Sequence, residues 1–405
     1  MKIALLHYSA PPVVGGVESV LEHHATLIAN DGHQVTVIAG RGEQFDPRVP
    51  FMHVPLIDSR HPQVLDLKQK LDKGSLPADF AKLTSEIEAQ LSDLISDTDM
   101  LIAHNVCSLN KNLALTAALF NISRRNKKLQ LIQWHHDLAW TTPRYRHELH
   151  PGHPWDLLKT AWPGVKQVAV SDMRRDELAG LMGLGKSDIT VVPNGVDVEK
   201  FFKLEEQTRS YLKKLDLMQA GPLLLLPVRI TPRKNIEFAL QVLAALRARF
   251  PTAQIVITGP LGPHNPANIE YFDRLRALRA SLGLSNAAHF LAEFTDEYVP
   301  DAVISDFYQL ADALFFPSHE EGFGIPILEA GFARLPVFCS DIPPLQKLGG
   351  EFVNYFSPDE DHETVAKTIA DHFSASPVFG LRASVRSQYT WERVYKTGIA
   401  PLLKG

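Results

Sequence analysis

Apolar residues fall in short runs along this chain, and between those runs they recur at helical spacing. Residues 2–7 form a strand-sized apolar run, followed by a Pro/Gly loop and helical periodicity over 17–30. Asp31-Gly32-His33 is a turn, and Val-Thr-Val-Ile within 34–39 predicts the next strand. Leu83, Ile87, Leu91 and Leu94 share one face of a helix over 80–94. Strands are expected at 100–103, 129–134, 165–170 and 189–192, with helices at 111–120 and 173–181 between them. Repeated strand-helix-strand alternation implies a parallel sheet covered by helices on both faces.

The pattern breaks at Pro193-Asn-Gly-Val-Asp197, a turn signal, and a charged helical stretch is expected over 200–217. A second series then begins with the apolar strand 223–228 and a helix over 236–249. It continues with strand 254–258, a charged helix over 270–281, strand 289–291 and a helix near 307–310. Strand 313–316, helix 327–333, strand 337–339 and terminal helices close the series. The expected fold class is α/β: two doubly wound domains of similar size, joined near residues 194–222.

Composition narrows the function. The 405 residues carry 41 basic and 46 acidic side chains, so a bulk electrostatic grip on nucleic acid is not expected. A hydrophobic fraction of 45% suits a soluble globular chain, and the length suits two domains. Cys107 and Cys339 form no disulfide framework or C-x-x-C pair, which points to a reducing compartment. The loop after His7 replaces a signal-peptide core, and apolar runs such as 223–228 fall well short of the ~20 residues of a membrane helix. A cytoplasmic protein is expected. Peripheral contact at the inner membrane face stays open through Arg124, Arg125, Lys127 and Lys128, whose ordinary role is to cap a helix C-terminus. A monomer and a homodimer are both compatible with the sequence.

Seventeen histidines are unevenly spread, with twelve between His7 and His153. His7, His104 and His136 fall at or just past the ends of three strands, where ligands bind in open parallel sheets. Metal binding is the competing reading, but His147-Glu-Leu-His150 lacks the H-E-x-x-H spacing that puts two ligands on one helical face. Gly15-Gly16-Val17-Glu18 opens the first helix without the G-x-G-x-x-G of a dinucleotide fold, yet lets a backbone approach an anion or a sugar.

In the second half, strand 223–228 runs into Arg229-Ile-Thr-Pro-Arg-Lys234, with Asn235 as N-cap of the next helix. Arg229 presents a planar fork to phosphate oxygens and Lys234 a point charge. Strand 313–316 feeds Pro317-Ser-His-Glu-Glu321-Gly-Phe-Gly-Ile-Pro-Ile-Leu-Glu329-Ala330. Gly322 and Gly324 free backbone amides to meet a phosphate or hydroxyl, Pro326 suits a first helical turn, and Glu321 and Glu329 supply acceptors for vicinal diols.

This segment resembles the E-x7-E signature of retaining glycosyltransferases of the two-Rossmann-domain (GT-B) type, family 4. Gly15-Gly16-Val17-Glu18, His136-Asp137, Val192-Pro-Asn-Gly-Val-Asp197, the Arg229/Lys234 pair and Trp391 resemble further family elements, so the likeness spans the chain. It implies an acceptor-binding domain at 1–197, a donor-binding domain at 198–385 facing it across a central cleft, and a C-terminal helix at 386–405 crossing back.

The resemblance implies residue roles. Arg229 and Lys234 would bind the nucleotide diphosphate and stabilise it as it leaves. Glu329 would bind ribose, and Glu321 with Gly322, Phe323, Gly324 and Ile325 would hold the donor sugar. His136 would contact that sugar near the reacting centre, with Gly16 and Gly259 at the donor. His7, Glu18, His104, Asn105 and Asp137 are acceptor-side candidates. No metal or other cofactor is expected: no convincing strand-borne D-x-D occurs, Asp97-Thr-Asp99 preceding a strand instead of ending one, and Arg229, Lys234 and helix starts can carry the electrostatic work. The resemblance implies front-face attack, with the departing phosphate helping to deprotonate the acceptor hydroxyl.

The implied partners are a nucleotide sugar, UDP-glucose-like or GDP-mannose-like, and a hydroxyl acceptor (saccharide, lipid-linked or small molecule). Three positions depart from the family pattern: Arg334 where Gly is common, Gly259-Pro-Leu-Gly-Pro-His264 with extra residues up to Ile269, and Gln346 for Glu. A sugar phosphorylase, a sugar-nucleotide epimerase and a non-catalytic sugar-nucleotide binder are the alternatives.

Overall fold

A computed structural model describes residues 1–261, 266–295 and 297–404. The chain divides into two compact units, 1–195 with 391–405, and 196–390.

Unit 1 is built on seven parallel strands: β1 (Lys2–His7), β2 (Gln34–Ala39), β3 (Phe51–His53), β4 (Met100–His104), β5 (Gln130–His135), β6 (Lys166–Ala169) and β7 (Ile189–Val191). Their order is β3-β2-β1-β4-β5-β6-β7. Ile3 pairs with Val35 on one side and Met100 on the other, so the winding direction reverses at β1. The side-chain alternation of β1 feeds two cores. Ile3 and Leu5 pack with Val20, Leu21 and Ile28 of the helix Gly16–Asn30. Ala4 and Leu6 pack with Leu113 and Leu115 of the helix Leu113–Arg125. Burial on both faces is why these strands are continuous apolar runs.

Unit 2 repeats the plan with six strands: β8 (Leu223–Leu226), β9 (Gln254–Ile257), β10 (Ala288–Phe290), β11 (Ala313–Phe316), β12 (Val337–Ser340) and β13 (Asn354–Phe356). Their order is β10-β9-β8-β11-β12-β13, and the reversal falls at β8. All four leucines of β8 are at most 2% exposed. Each such burial contributes about 1.5–3 kcal/mol.

The structure corrects several expectations. The helix expected over 200–217 is two helices, Val198–Phe202 and Glu206–Lys214, broken where Lys203 takes a left-handed φ of 55°. β3 and β13 are three-residue edge strands too short for a hydrophobic period to reveal. Residues 386–390, expected in a returning C-terminal helix, belong to unit 2. The reason is Arg386, which is buried there, donates to Ala220 O at 3.0 Å and pairs with Asp312. The return to unit 1 begins at Trp391, whose ring packs so closely on Gly195 that a Cβ there would lie 2.6 Å from it.

Arg124 and Arg125 occupy the last turn of their helix, Arg125 pairing with Glu88, and Lys127 donates to Ser123 O at 3.4 Å. That is the capping role. Among the described residues no helix is long and apolar enough to cross a membrane.

Candidate active site

In unit 1 the candidate residues gather where β1, β4 and β5 end. His7 Nδ1 lies 2.7 Å from His104 O, which can only accept, so His7 carries its proton on Nδ1. His104 Nδ1 is 3.3 Å from His136 Nε2. Asn105 follows β4 in a left-handed conformation, φ 61°, and its Oδ1 accepts from the backbone N–H groups of His136 at 3.1 Å and Asp137 at 3.0 Å. A side-chain amide that tolerates this backbone region and offers an acceptor suits the position. Asp137 in turn pairs with Arg174 at 3.5 Å.

His104 is 0% exposed. It cannot touch an acceptor, and the acceptor-side expectation for it is withdrawn. Burial pushes the imidazoles of His7 to about 4 and of His24 and His136 to about 3, and His104 well below the usual value. Desolvation of the charged form dominates each shift, so all four are neutral near pH 7.

Glu18 lies in the first turn of the helix Gly16–Asn30, and its Oε1 accepts from Ser9 Oγ at 2.6 Å. Its carboxylate folds over Gly15, where a Cβ would lie 2.1 Å from Oε2, whereas a Cβ on Gly16 would meet nothing within 4 Å. A side chain at Gly15 would displace the Glu18 carboxylate from its place beside Ser9. The space at Gly16 is open for a ligand.

Four further histidines make contacts within unit 1. His53 Nε2 donates to Gly40 O at 2.9 Å, and His150 Nε2 to Asp72 O at 3.0 Å. His23 stacks on Trp391 at 4.8 Å, and His153 meets Phe80 edge-on at 5.6 Å. Asp97 pairs with the side chain of Lys2, and Asp99 accepts its backbone N–H at 2.8 Å. Both aspartates thus sit at the start of β1, remote from the strand ends where the candidates gather.

In unit 2 the strand ends bring together residues far apart in sequence. The loop after β8 holds exposed Arg229 and buried Lys234, and the loop after β11 holds Glu321. Lys234 Nζ donates to Glu321 Oε1, with both side chains 9% exposed. The same two loops are joined by His319 N–H donating to Arg233 O at 2.9 Å. Gly259, after β9, has a different first duty from the one expected. A Cβ there would lie 1.9 Å from Val228 O, so only glycine lets these strand ends approach. The further residues Gly262-Pro263-His264 of that segment lie outside the described residues.

The helix Ile325–Phe332 starts at Gly324, whose φ of 100° and closeness to Leu345 both require glycine. Pro326 sits in its first turn, as expected. Asn235 precedes the helix Ile236–Leu246 but makes no side-chain cap. Gly322, Phe323 and Ile325 are exposed, and so is Glu329. The two glutamates therefore differ, one buried in an ion pair and one open. Tyr308 Oη donates to Glu329 Oε2 at 2.6 Å, and a cavity of about 500 Å³ lies beside them, lined also by Asp301, Ser305 and Phe332. Tyr308 was not found by sequence reasoning, because nothing local ties it to a glutamate on another helix. The pair leaves the second carboxylate oxygen of Glu329 for a ligand.

In unit 2 an ion pair and a glycine-flanked helix start thus lie at the strand ends of a doubly wound α/β sheet, the edge where ligands bind in such folds. The description "Glycosyltransferase Family 4" matches residues 14–200, and "Glycosyl transferases group 1" matches residues 208–384. The chain belongs to the group 1 glycosyltransferases, of the GT-B fold class. It is 26% identical over 389 residues to a mannosylglucosylglycerate synthase of Petrotoga mobilis, covering 89% of this chain and 88% of that one. A mannosylglucosylglycerate synthase of Thermotoga maritima is 24% identical over 377 residues, 85% and 83% of the two chains. A D-inositol 3-phosphate glycosyltransferase of Frankia alni is 33% identical over 188 residues, 45% and 43%.

Proposed function

We propose that this glycosyltransferase moves a hexose from a nucleotide-diphosphate sugar to a hydroxyl acceptor, with retention at the anomeric carbon and without a metal ion. The observation that carries the reading is the largely buried Lys234–Glu321 pair, formed by a loop that also carries exposed Arg229 and a loop that leads into the glycine-flanked helix start at Gly324. Lys234 and Arg229 supply positive charge to the departing diphosphate, and free amides at Ile325–Phe332 add their dipole. Glu329, held by Tyr308, offers its other oxygen to the ribose diol. In unit 1 the reading gives His136 a sugar contact, and Gly16 leaves open space for a substrate.

In a front-face reaction the bond from C1 to the phosphate oxygen breaks with its electron pair going to phosphate. The acceptor oxygen bonds to C1 on the same face, and its proton passes to a phosphate oxygen. The favoured acceptor is a small, highly hydroxylated glycoside, in keeping with the names of the mannosylglucosylglycerate synthases that align over most of their length. The protein acts in the cytoplasm.

A melting-temperature panel of UDP-, GDP- and ADP-sugars tests the donor site. A ligand at about 100 times its dissociation constant should stabilise the protein by about 2.7 kcal/mol. The shifted donor is then tested for transfer in the presence of EDTA with NMR of the product anomer. No shift across the panel, or an inverted product, overturns the reading.

A further inference from the structure

His136 belongs to a recognised motif, but the residues that hold it do not. Two consecutive residues at the end of β4 fix it, Asn105 through the backbone and His104 through the ring. What remains is the direction of the His104–His136 hydrogen bond, which decides what His136 can offer a ligand.

Both rings are neutral, so each carries one proton. Suppose His136 gives its Nε2 proton to His104 Nδ1. His104 must then carry its own proton on Nε2, and that atom is buried with no partner. An orphaned N–H inside a protein is rarer and more costly than a vacant lone pair. In the opposite direction His104 Nδ1–H donates, its Nε2 is a bare lone pair, and the unpartnered N–H moves to His136 Nδ1, which unlike His104 Nε2 is not a sealed buried atom. The surroundings do not rescue the first arrangement. The His104 ring packs against the rings of Trp134, centroids 5.5 Å apart and planes 30° apart, and of His24, centroids 5.1 Å apart, and both nitrogens of His24 are themselves without partners. Accepting at Nε2, neutral His136 must hold its proton at Nδ1. No hydrogen bond joins that nitrogen to another described residue, which leaves its N–H for a ligand.

We infer that His104 is a positioning residue that fixes His136 as its Nδ1–H tautomer, so that His136 serves the transferred sugar as a hydrogen-bond donor and not as a base. The tautomer stands on unit 1 alone, whereas its use in transfer rests on the function proposed above. A donor at Nδ1 cannot collect the acceptor's proton, and becoming a cation is opposed by burial and by His7 and His135 nearby. The proton is therefore left to the departing phosphate oxygen, as front-face attack requires.

The test uses the full chain, labelled with ¹⁵N-histidine, at pH 7.5. Long-range ¹H–¹⁵N correlation reads the protonated ring nitrogen, with His136 assigned by comparison with His136→Gln. The expected pattern is Nδ1–H for His136, and Nε2–H in the wild type overturns the inference without any variant. His104→Asn puts an amide donor where Nδ1 stood and keeps the tautomer, whereas His104→Leu loses it. With the donor found by the melting panel, His104→Leu should lower kcat about tenfold at little change in donor KM, and His104→Asn should recover most of it. A shifted tautomer with unchanged kcat overturns the donor role of His136. A wild-type chain that binds no sugar nucleotide, yet shows the Nδ1–H pattern, sinks the proposed function and not the tautomer.

Discussion

Lys234 and Glu321 are 87 positions apart, and unit 2 buries them as a hydrogen-bonded ion pair at the ends of β8 and β11. Such a pair adds little to stability when intact, but breaking it strands a charge. Lys234→Ala should therefore destabilise the protein by about 3 kcal/mol, read from the urea midpoint, and Glu321→Gln by less because the amide still accepts a hydrogen bond. In the proposed site Lys234 also meets phosphate, so Lys234→Ala should weaken nucleotide-diphosphate binding about 100-fold by titration calorimetry. Unchanged binding would remove Lys234 from the donor site.

Gly16 and Gly324 make a contrasting pair. A Cβ at Gly16 meets nothing, so Gly16→Ala should melt within about 1 °C of wild type, and any loss of transfer comes from the ligand. Gly324→Ala must take φ 100° and meet Leu345 Cδ2 at 2.5 Å, and should cost about 2–3 kcal/mol. If both variants lose the same stability, the open space at Gly16 is not for a substrate.

Arg334 departs from the family's glycine, and the structure shows why glycine is common there. Leu335 N–H bonds to Ala330 O at 2.9 Å and Arg334 N–H to Gly331 O at 3.1 Å, with Arg334 at φ 58°. This is a Schellman helix end, which wants a left-handed residue. Arg334→Gly should raise stability by about 0.5–1 kcal/mol, the relief of strain exceeding the added chain entropy. A lowered melting temperature would mean that the arginine side chain repays its strain.

The buried histidines set the acid limit of stability. His24, shifted down to about 3 by burial and by His136 and His23, stays neutral in the fold while its unfolded counterpart protonates near 6.5. Folded-state stability is thus complete above about pH 6.5 and falls as pH drops toward 3–4, by about 1.4 kcal/mol per pH unit for each such histidine. Replacing His24 by Phe should flatten that slope by one histidine's share between pH 6 and 4. Equal slopes in the two proteins would show that His24 protonates without unfolding.

The order of elements was legible in the sequence because parallel strands buried on both faces appear as short apolar runs, and the covering helices keep their period. The motif around Glu321 and Glu329 was legible too, since glycine, proline and carboxylate spacing within one loop and one helix is local information. The short edges β3 and β13 were not, and neither was the break at Lys203, where a charged, strongly helical stretch bends because the chain must turn. Above all, sequence placed His7, His104 and His136 at strand ends and treated them alike. Only the packing of β1, β4 and β5 separated them, into a donor to a carbonyl, a fully buried support, and a ring with one nitrogen left over. The same is true of Lys234 with Glu321 and of Tyr308 with Glu329. Side-chain chemistry can be read one residue at a time, but a hydrogen bond needs two groups at one distance, and tertiary packing sets that distance.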